Sequence, residues 1–179
     1  MNEEAVLSDI LAGTVNRYEE IVREYQEIVA NLCYKIGGPK IDIEEMTQQV
    51  FVELYYALPR FKFQSKLSTF IYRLTVNVVC KEIKHNSRWL TSQDAPDLPE
   101  VATDDYNVEQ SIVRDERYRK LYAAIGHLHT EQRTALVLYT FNDFSYNDIA
   151  DVMQCTVAKV ESLIFRARKN LKKLLTDEL

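Results

Sequence analysis

The sequence predicts an all-α protein of two small helical domains joined by an acidic, flexible linker. Three observations carry that reading. Apolar residues recur at steps of three and four along most of the 179-residue chain. Only 4 Gly and 4 Pro are present, too few for the many turns of a β-rich fold. Residues 91–106, TSQDAPDLPEVATDDY, hold two of the prolines and five acids with no apolar period. The expected division is a first domain over 1–90, a linker over 91–106 and a second domain over 107–179.

The elements follow in order. Val15, Tyr18, Ile21, Val22, Tyr25, Ile28, Val29, Leu32, Cys33 and Ile36 form one apolar stripe, which makes 14–36 a helix. Gly37-Gly38-Pro39 stops it. Asp42 and Glu45 have the spacing of a capping box and open a helix over 43–58. Met46, Val50, Phe51, Leu54 and Leu58 are its core face, and Pro59 closes it. The connector RFKFQSK leads to Ser68, the expected N-cap of a helix running to about 90. Beyond the linker, helices are expected at about 107–126, 130–140, 146–153 and 157–175. No internal repeat is present.

The net charge of −5 argues against a nucleic-acid partner, but its distribution reverses that argument. Residues 1–60 sum to −6 and residues 91–116 to −7. Between them, residues 61–90 carry six basic groups against Glu82 alone, a net of +5. Residues 159–173 carry six basic groups against Glu161 alone, again +5. Two basic blocks on an acidic chain fit a DNA binder with two contact points.

The second block lies in a helix-turn-helix pattern, SYNDIADVMQCTVAKVESLIFRARKNL, over 145–171. Ser145 and Asp148 form a capping box. Ala150 is small where two helices cross, Met153-Gln154-Cys155 make the turn, and Thr156 caps the second helix. Val160, Ile164, Ala167 and Leu171 face inward. Lys159, Ser162 and Arg166 then share the outer face, with Phe165 beside them. A helix entering a major groove needs that set of short polar and long basic side chains. Arg166 has the fork that reads guanine, and Phe165 has the apolar surface that meets a thymine methyl.

Other chemistries find no footing. Cys33, Cys80 and Cys155 fit neither a disulfide framework nor CxxC spacing, and they read as core thiols. His85, His127 and His129 show no HExxH spacing, and Gly37-Gly38 lacks the Lys-Ser/Thr of a phosphate loop. No catalytic, metal or cofactor site is expected. No apolar run is long enough to span a membrane, and the acidic start, MNEEAVLSDI, is unlike a signal peptide, so the expected location is the cytoplasm.

Two longer strings resemble one family. LHTEQRTALVLYTFNDFSYNDIADVMQCTVAKVESLIFRARKNLKKL (128–174) resembles the C-terminal promoter-binding domain of sigma-70-family RNA polymerase sigma factors. It looks most like their small extracytoplasmic-function group. DIEEMTQQVFVELYYALPRFKFQSKLSTFIYRLTVNVVCKEIKH (42–85) is similar to the N-terminal domain of the same group.

The resemblance implies a factor that binds core RNA polymerase and directs it to a two-element promoter, without bond chemistry of its own. Glu45, Gln48 and Gln49 would face the clamp of the polymerase's largest subunit; the family usually has Gln-Glu at 48–49. Residues 61–85 would read the −10 element, with Phe61 and Asn77 forming a pocket for a flipped base. Lys62, Lys66, Arg73, Lys81 and Lys84 would neutralise the backbone there. Lys159, Ser162, Phe165 and Arg166 would read the −35 element, with Thr156 and Arg168 toward phosphate. Family members often carry Arg or Lys where Glu161 and Leu163 stand, which implies fewer phosphate contacts here. An anti-sigma protein is an implied further partner. The competing readings are an operator-binding helix-turn-helix repressor and a helical anti-regulator that mimics a sigma domain.

Overall fold

The computed structural model of the chain describes residues 3–11, 15–38, 41–90 and 116–177. Among the described residues there are eight α-helices and no strands. They are α1 (Glu3–Leu11), α2 (Tyr18–Gly37), α3 (Ile43–Ala57), α4 (Leu67–Leu90), α5 (Glu116–Gly126), α6 (Thr130–Phe141), α7 (Tyr146–Met153) and α8 (Val157–Asp177). The linker expected over 91–106 and the first part of the helix expected from 107 lie outside the described residues.

In the first half, α2, α3 and α4 pack mutually around Ile21, Val29, Cys33, Ile36, Val50, Leu54 and Ile71, all buried. Of the stripe read from the sequence, Ile21, Tyr25, Val29, Leu32, Cys33 and Ile36 are this core face, whereas Tyr18 and Val22 are half-buried at its edge and Ile28 is exposed. The Asp42 side chain accepts from the Glu45 backbone N–H at 2.9 Å, which fixes the start of α3. A short 3₁₀ turn over Leu58–Arg60, with Pro59 inside it, ends α3. Ser68 does not cap α4: the helix starts one residue earlier at Leu67, and the Phe70 N–H donates to the Lys66 carbonyl. Leu67 is fully buried, and that burial draws the first turn into the core.

α1 was not expected. Val6 and Leu7 bury against the bundle, and Arg17 pairs with both Asp9 and Glu20, tying α1 to the start of α2. The 3/4 spacing of Val6, Leu7, Ile10 and Leu11 carried the signal, too short to stand out.

In the second half, α6, α7 and α8 enclose Leu138, Ile149, Val152, Val160 and Ile164. The Ser145–Asp148 capping box is formed in both directions. Gln154 takes the left-handed conformation, φ 52° and ψ 50°, that ends α7. That turn therefore needs no glycine, at the modest strain a polar residue bears there. Cys33 is fully buried and its thiol pKa is pushed up to about 12 by burial; Cys80 and Cys155 are half-buried, with thiols raised by the same cause.

The two halves also pack on each other, α6 against α2 and α7 against α4. Across this seam Asn142 Nδ2 donates to Tyr72 Oη at 2.9 Å, and the Tyr72 ring meets Phe144 edge-on at 4.7 Å. Lys35 Nζ sits 4.4 Å over the Phe141 ring, and Cys80 Sγ lies 3.9 Å from Thr134 Oγ1. Independent movement of the halves requires this seam to open.

Candidate nucleic-acid interface

The first candidate surface begins at the loop before α4. Phe61 is half-buried and its ring lies 5.1 Å from Phe70. Arg73 places its guanidinium 5.4 Å over Phe70, a cation–π contact. From Arg73, steps of four, four and three reach Asn77, Lys81 and Lys84, one stripe along α4. Asn77, Lys81 and Lys84 are exposed, and Lys62 is exposed on the loop. The stripe faces out because Ile71, Thr75, Val78 and Val79 bury the other side of the helix. Thr75 is tolerated there because its hydroxyl donates to the Ile71 carbonyl at 2.9 Å. Phe70, three residues before Arg73, opens the stripe and supports Phe61, whereas Tyr72 lies outside it and belongs to the seam.

The second surface is the outer face of α8. Thr156 Oγ1 accepts from the Lys159 backbone N–H at 3.2 Å, the expected cap. Lys159, Ser162, Phe165, Arg166 and Arg168 are all exposed, Phe165 to 69%. Arg166 Nε donates back to the Ser162 carbonyl at 3.2 Å, and the Arg168 guanidinium stacks 5.0 Å over Tyr139. Arg168 is thus braced at the foot of a shallow concavity that Tyr146, Ala158, Glu161, Ser162 and Phe165 also line.

Leu163 corrects one expectation. It is only 3% exposed and packs in the core, so a basic residue there would not reach phosphate on this backbone. Of the two departures from the family pattern, Glu161 alone lies on the outer face.

Glu131, on α6, was not singled out in the sequence. Its carboxylate takes the Lys159 ammonium at 2.9 Å. That hydrogen bond holds the Glu131 pKa below the usual carboxylate range and lifts that of Lys159; Lys84 and His129 add to the pull on Glu131. One acid therefore attracts cations from both basic stripes. No sequence spacing joins positions 84, 131 and 159; only the fold does. To contact DNA, Lys159 must exchange this carboxylate for phosphate or a base edge. Glu131→Gln removes the competitor. We expect binding of the whole chain to duplex DNA to tighten by a few-fold at low salt, the scale of an exposed ion pair. Fluorescence anisotropy checks it, and an unchanged affinity would show that Lys159 does not reach DNA.

A third surface lies on α3. Glu45, Gln48 and Gln49 are exposed; Gln48 and Gln49 donate to Glu44 and Glu53 at 3.3 and 3.2 Å. The same face continues through Val52, Tyr55 and Tyr56, the last 72% exposed. Tyr55 and Tyr56 meet edge-on at 5.6 Å, and Tyr18 stacks edge-on against Tyr55 at 5.3 Å. The sequence reading picked the polar half of this face and missed the aromatic half. Val52 and Tyr56 fall on the helical face of Glu45 and Gln49, away from Val50, Phe51 and Leu54, but their residue types alone did not mark that face out. Among the described residues, no helix is long and apolar enough to cross a membrane.

Two family models match, in order. Sigma-70 region 2 matches residues 21–88, and Sigma-70, region 4 matches residues 118–171. An RNA polymerase sigma-H factor of Pseudomonas aeruginosa is 29% identical, over 97% of this chain and 93% of that protein. An ECF RNA polymerase sigma-E factor of Haemophilus influenzae is 28% identical, over 96% and 94%. ECF RNA polymerase sigma factor SigW of Bacillus subtilis is 25% identical, over 96% and 95%. Two solved structures share the fold. CnrH, in complex with the cytosolic domain of CnrY, has a TM-score of 0.68 at 19% identity, covering 98% of this chain and 97% of that one. The sigma factor RpoE from Bartonella quintana, with the anti-sigma factor NepR, has a TM-score of 0.70 at 18% identity, covering 89% and 96%.

Proposed function

We propose a division of labour for this chain, which belongs to the sigma-70 family of RNA polymerase sigma factors and, within it, to the extracytoplasmic-function group. It binds core RNA polymerase and promoter DNA and directs transcription initiation. The exposed face of α3, with Glu45, Gln48 and Gln49, docks on the clamp of the polymerase's largest subunit. Phe61 and Asn77 capture an unstacked base of the −10 element, while Lys62, Arg73, Lys81 and Lys84 track its backbone. Asn supplies both a donor and an acceptor to a base edge. Lys159, Ser162, Phe165 and Arg166 read the −35 element in the major groove, with Thr156 and Arg168 toward phosphate. Residues 1–90 and 107–179 are the two working units, and the factor acts in the cytoplasm.

One observation carries this reading. Cationic exposed faces lie on two different helices, one in each matched region. The family matches favour it over an operator-binding repressor or an anti-regulator. Two structural neighbours were solved with a bound regulator, which supports an anti-sigma protein as a further partner. Gel filtration with core polymerase tests the whole reading. We expect a co-eluting complex that starts RNA at a defined site on linear DNA. DNA binding by a dimer with no polymerase complex would replace it with the repressor reading.

A further inference from the structure

Phe63 stands where neither backbone nor burial favours a phenylalanine. Its φ is 55°, in the left-handed region that a bulky side chain rarely enters. Glycine adopts that conformation without strain. The strain is not repaid by burial, since the ring is 51% exposed. The ring does, however, touch a chain of others. Phe63 lies 5.1 Å from Phe61, Phe61 lies 5.1 Å from Phe70, and Arg73 caps Phe70. The row runs from packed residues at Phe70 out to water at Phe63. Arg60 and Lys62 flank the outer end, both exposed, and no acid occurs in the sequence between Glu53 and Glu82.

We propose that Phe63 is a stacking platform for an unpaired DNA base, next to the base that Phe61 and Asn77 capture. A strained backbone that holds an apolar ring in water, in a cationic setting, fits a single-strand contact. Strain of this kind collects at binding sites. Every base has a π-face, so such a platform adds affinity without strict base preference. It lengthens the melted stretch that the factor holds. The inference rests on the assignment of Phe61 and Asn77 to −10 recognition.

The test uses holoenzyme, reconstituted from core polymerase and the full chain carrying F63G or F63W. The probe is a bubble DNA selected by wild-type holoenzyme from a pool randomised across the unpaired non-template strand. Abasic sites are then placed along that strand. F63G removes the ring and the strain together, so its thermal midpoint should equal or exceed that of wild type. Its affinity for the bubble should fall roughly tenfold. Wild type should lose affinity when one base beside the Phe61-dependent position is deleted, whereas F63G should be indifferent there. F63W should restore both affinity and the abasic response. An identical abasic profile for wild type and F63G overturns the proposal. So does a fall in the F63G midpoint by several degrees, which would make the ring structural. Weaker binding of F63G to core polymerase also overturns it, because the ring would then meet protein. If Phe61→Ala and Asn77→Ala are indifferent at every position as well, the −10 assignment itself fails.

Discussion

Replacing Phe61 or Asn77 with alanine is expected to slow promoter opening by roughly ten- to a hundredfold while leaving affinity for core polymerase unchanged. A lost stacking or base-edge contact costs about 1–3 kcal/mol, which sets that range. The geometry separates the two readouts. The polymerase face proposed on α3 presents Glu45, Gln48 and Gln49, whereas Asn77 stands exposed on α4. Truncating an exposed amide leaves no cavity, so Asn77→Ala should leave the fold intact. Phe61 is half-buried against Phe70 and Phe63, and there Phe61→Leu serves as a packing control. Leucine keeps most of the volume and loses the stacking face. Permanganate footprinting of unpaired thymines, run beside a core-binding titration, measures both effects. If core binding falls in step with melting, the two residues are structural and the base pocket lies elsewhere.

What the sequence disclosed follows its periodicities. The apolar stripe from Tyr18 to Ile36, the capping box at Ser145 and the cap at Thr156 were legible because each is a local rule with one outcome. The outer face of α8 was legible for the same reason: burying Val160, Ile164 and Ala167 leaves Ser162 and Phe165 outside. Leu163 was misplaced by analogy with the family pattern, although its apolar side chain pointed to the core face. Periodicity did set Val52 and Tyr56 apart from the buried face of α3, but an apolar residue on the outer face carries no local rule that says what it is for.

The seam was illegible for a different reason. No sequence rule couples Tyr72 to Asn142 or Cys80 to Thr134. Its chemistry is also unlike a core. Arg133 is buried with Nε unpartnered, and its Nη1 donates to the Gly126 carbonyl at 3.2 Å. Asn142 Oδ1 is buried without a partner as well. Burial lowers the Arg133 pKa, the direction expected when a charge loses water and gains no acid. An unsatisfied buried group costs about 1–3 kcal/mol, and opening the seam would hydrate both. The buried apolar cluster runs continuously across the two halves, and these unsatisfied polar groups sit beside it as a cost the seam bears.

Glu161→Arg is expected to tighten duplex binding by about an order of magnitude at 0.1 M salt and to steepen its salt dependence. Glu161 is the one acid within residues 159–173 and is exposed beside Ser162, on the concavity that Phe165 and Arg168 share. With Leu163 buried, it is also the outward one of the two departures on α8. The substitution changes local charge by +2, removing one repulsion and adding one cation. Each added phosphate contact steepens the slope of log K against log salt by about 0.9, so the change should be roughly 1–2 units. The effect should exceed that of Glu131→Gln, which releases an existing cation and adds none. Phosphates carry no base identity, so the gain should be similar on a selected −35 duplex and on a scrambled one. Arg166→Ala should do the reverse, losing about 1–3 kcal/mol of discrimination at one base pair with little change in slope. Because α6 and α7 pack on the other half, the whole chain is the proper sample. Anisotropy titrations over a range of salt, on both duplexes, decide the matter. An unchanged slope for Glu161→Arg would mean that this edge of α8 faces away from DNA. The helix would then have to enter the groove on a different face.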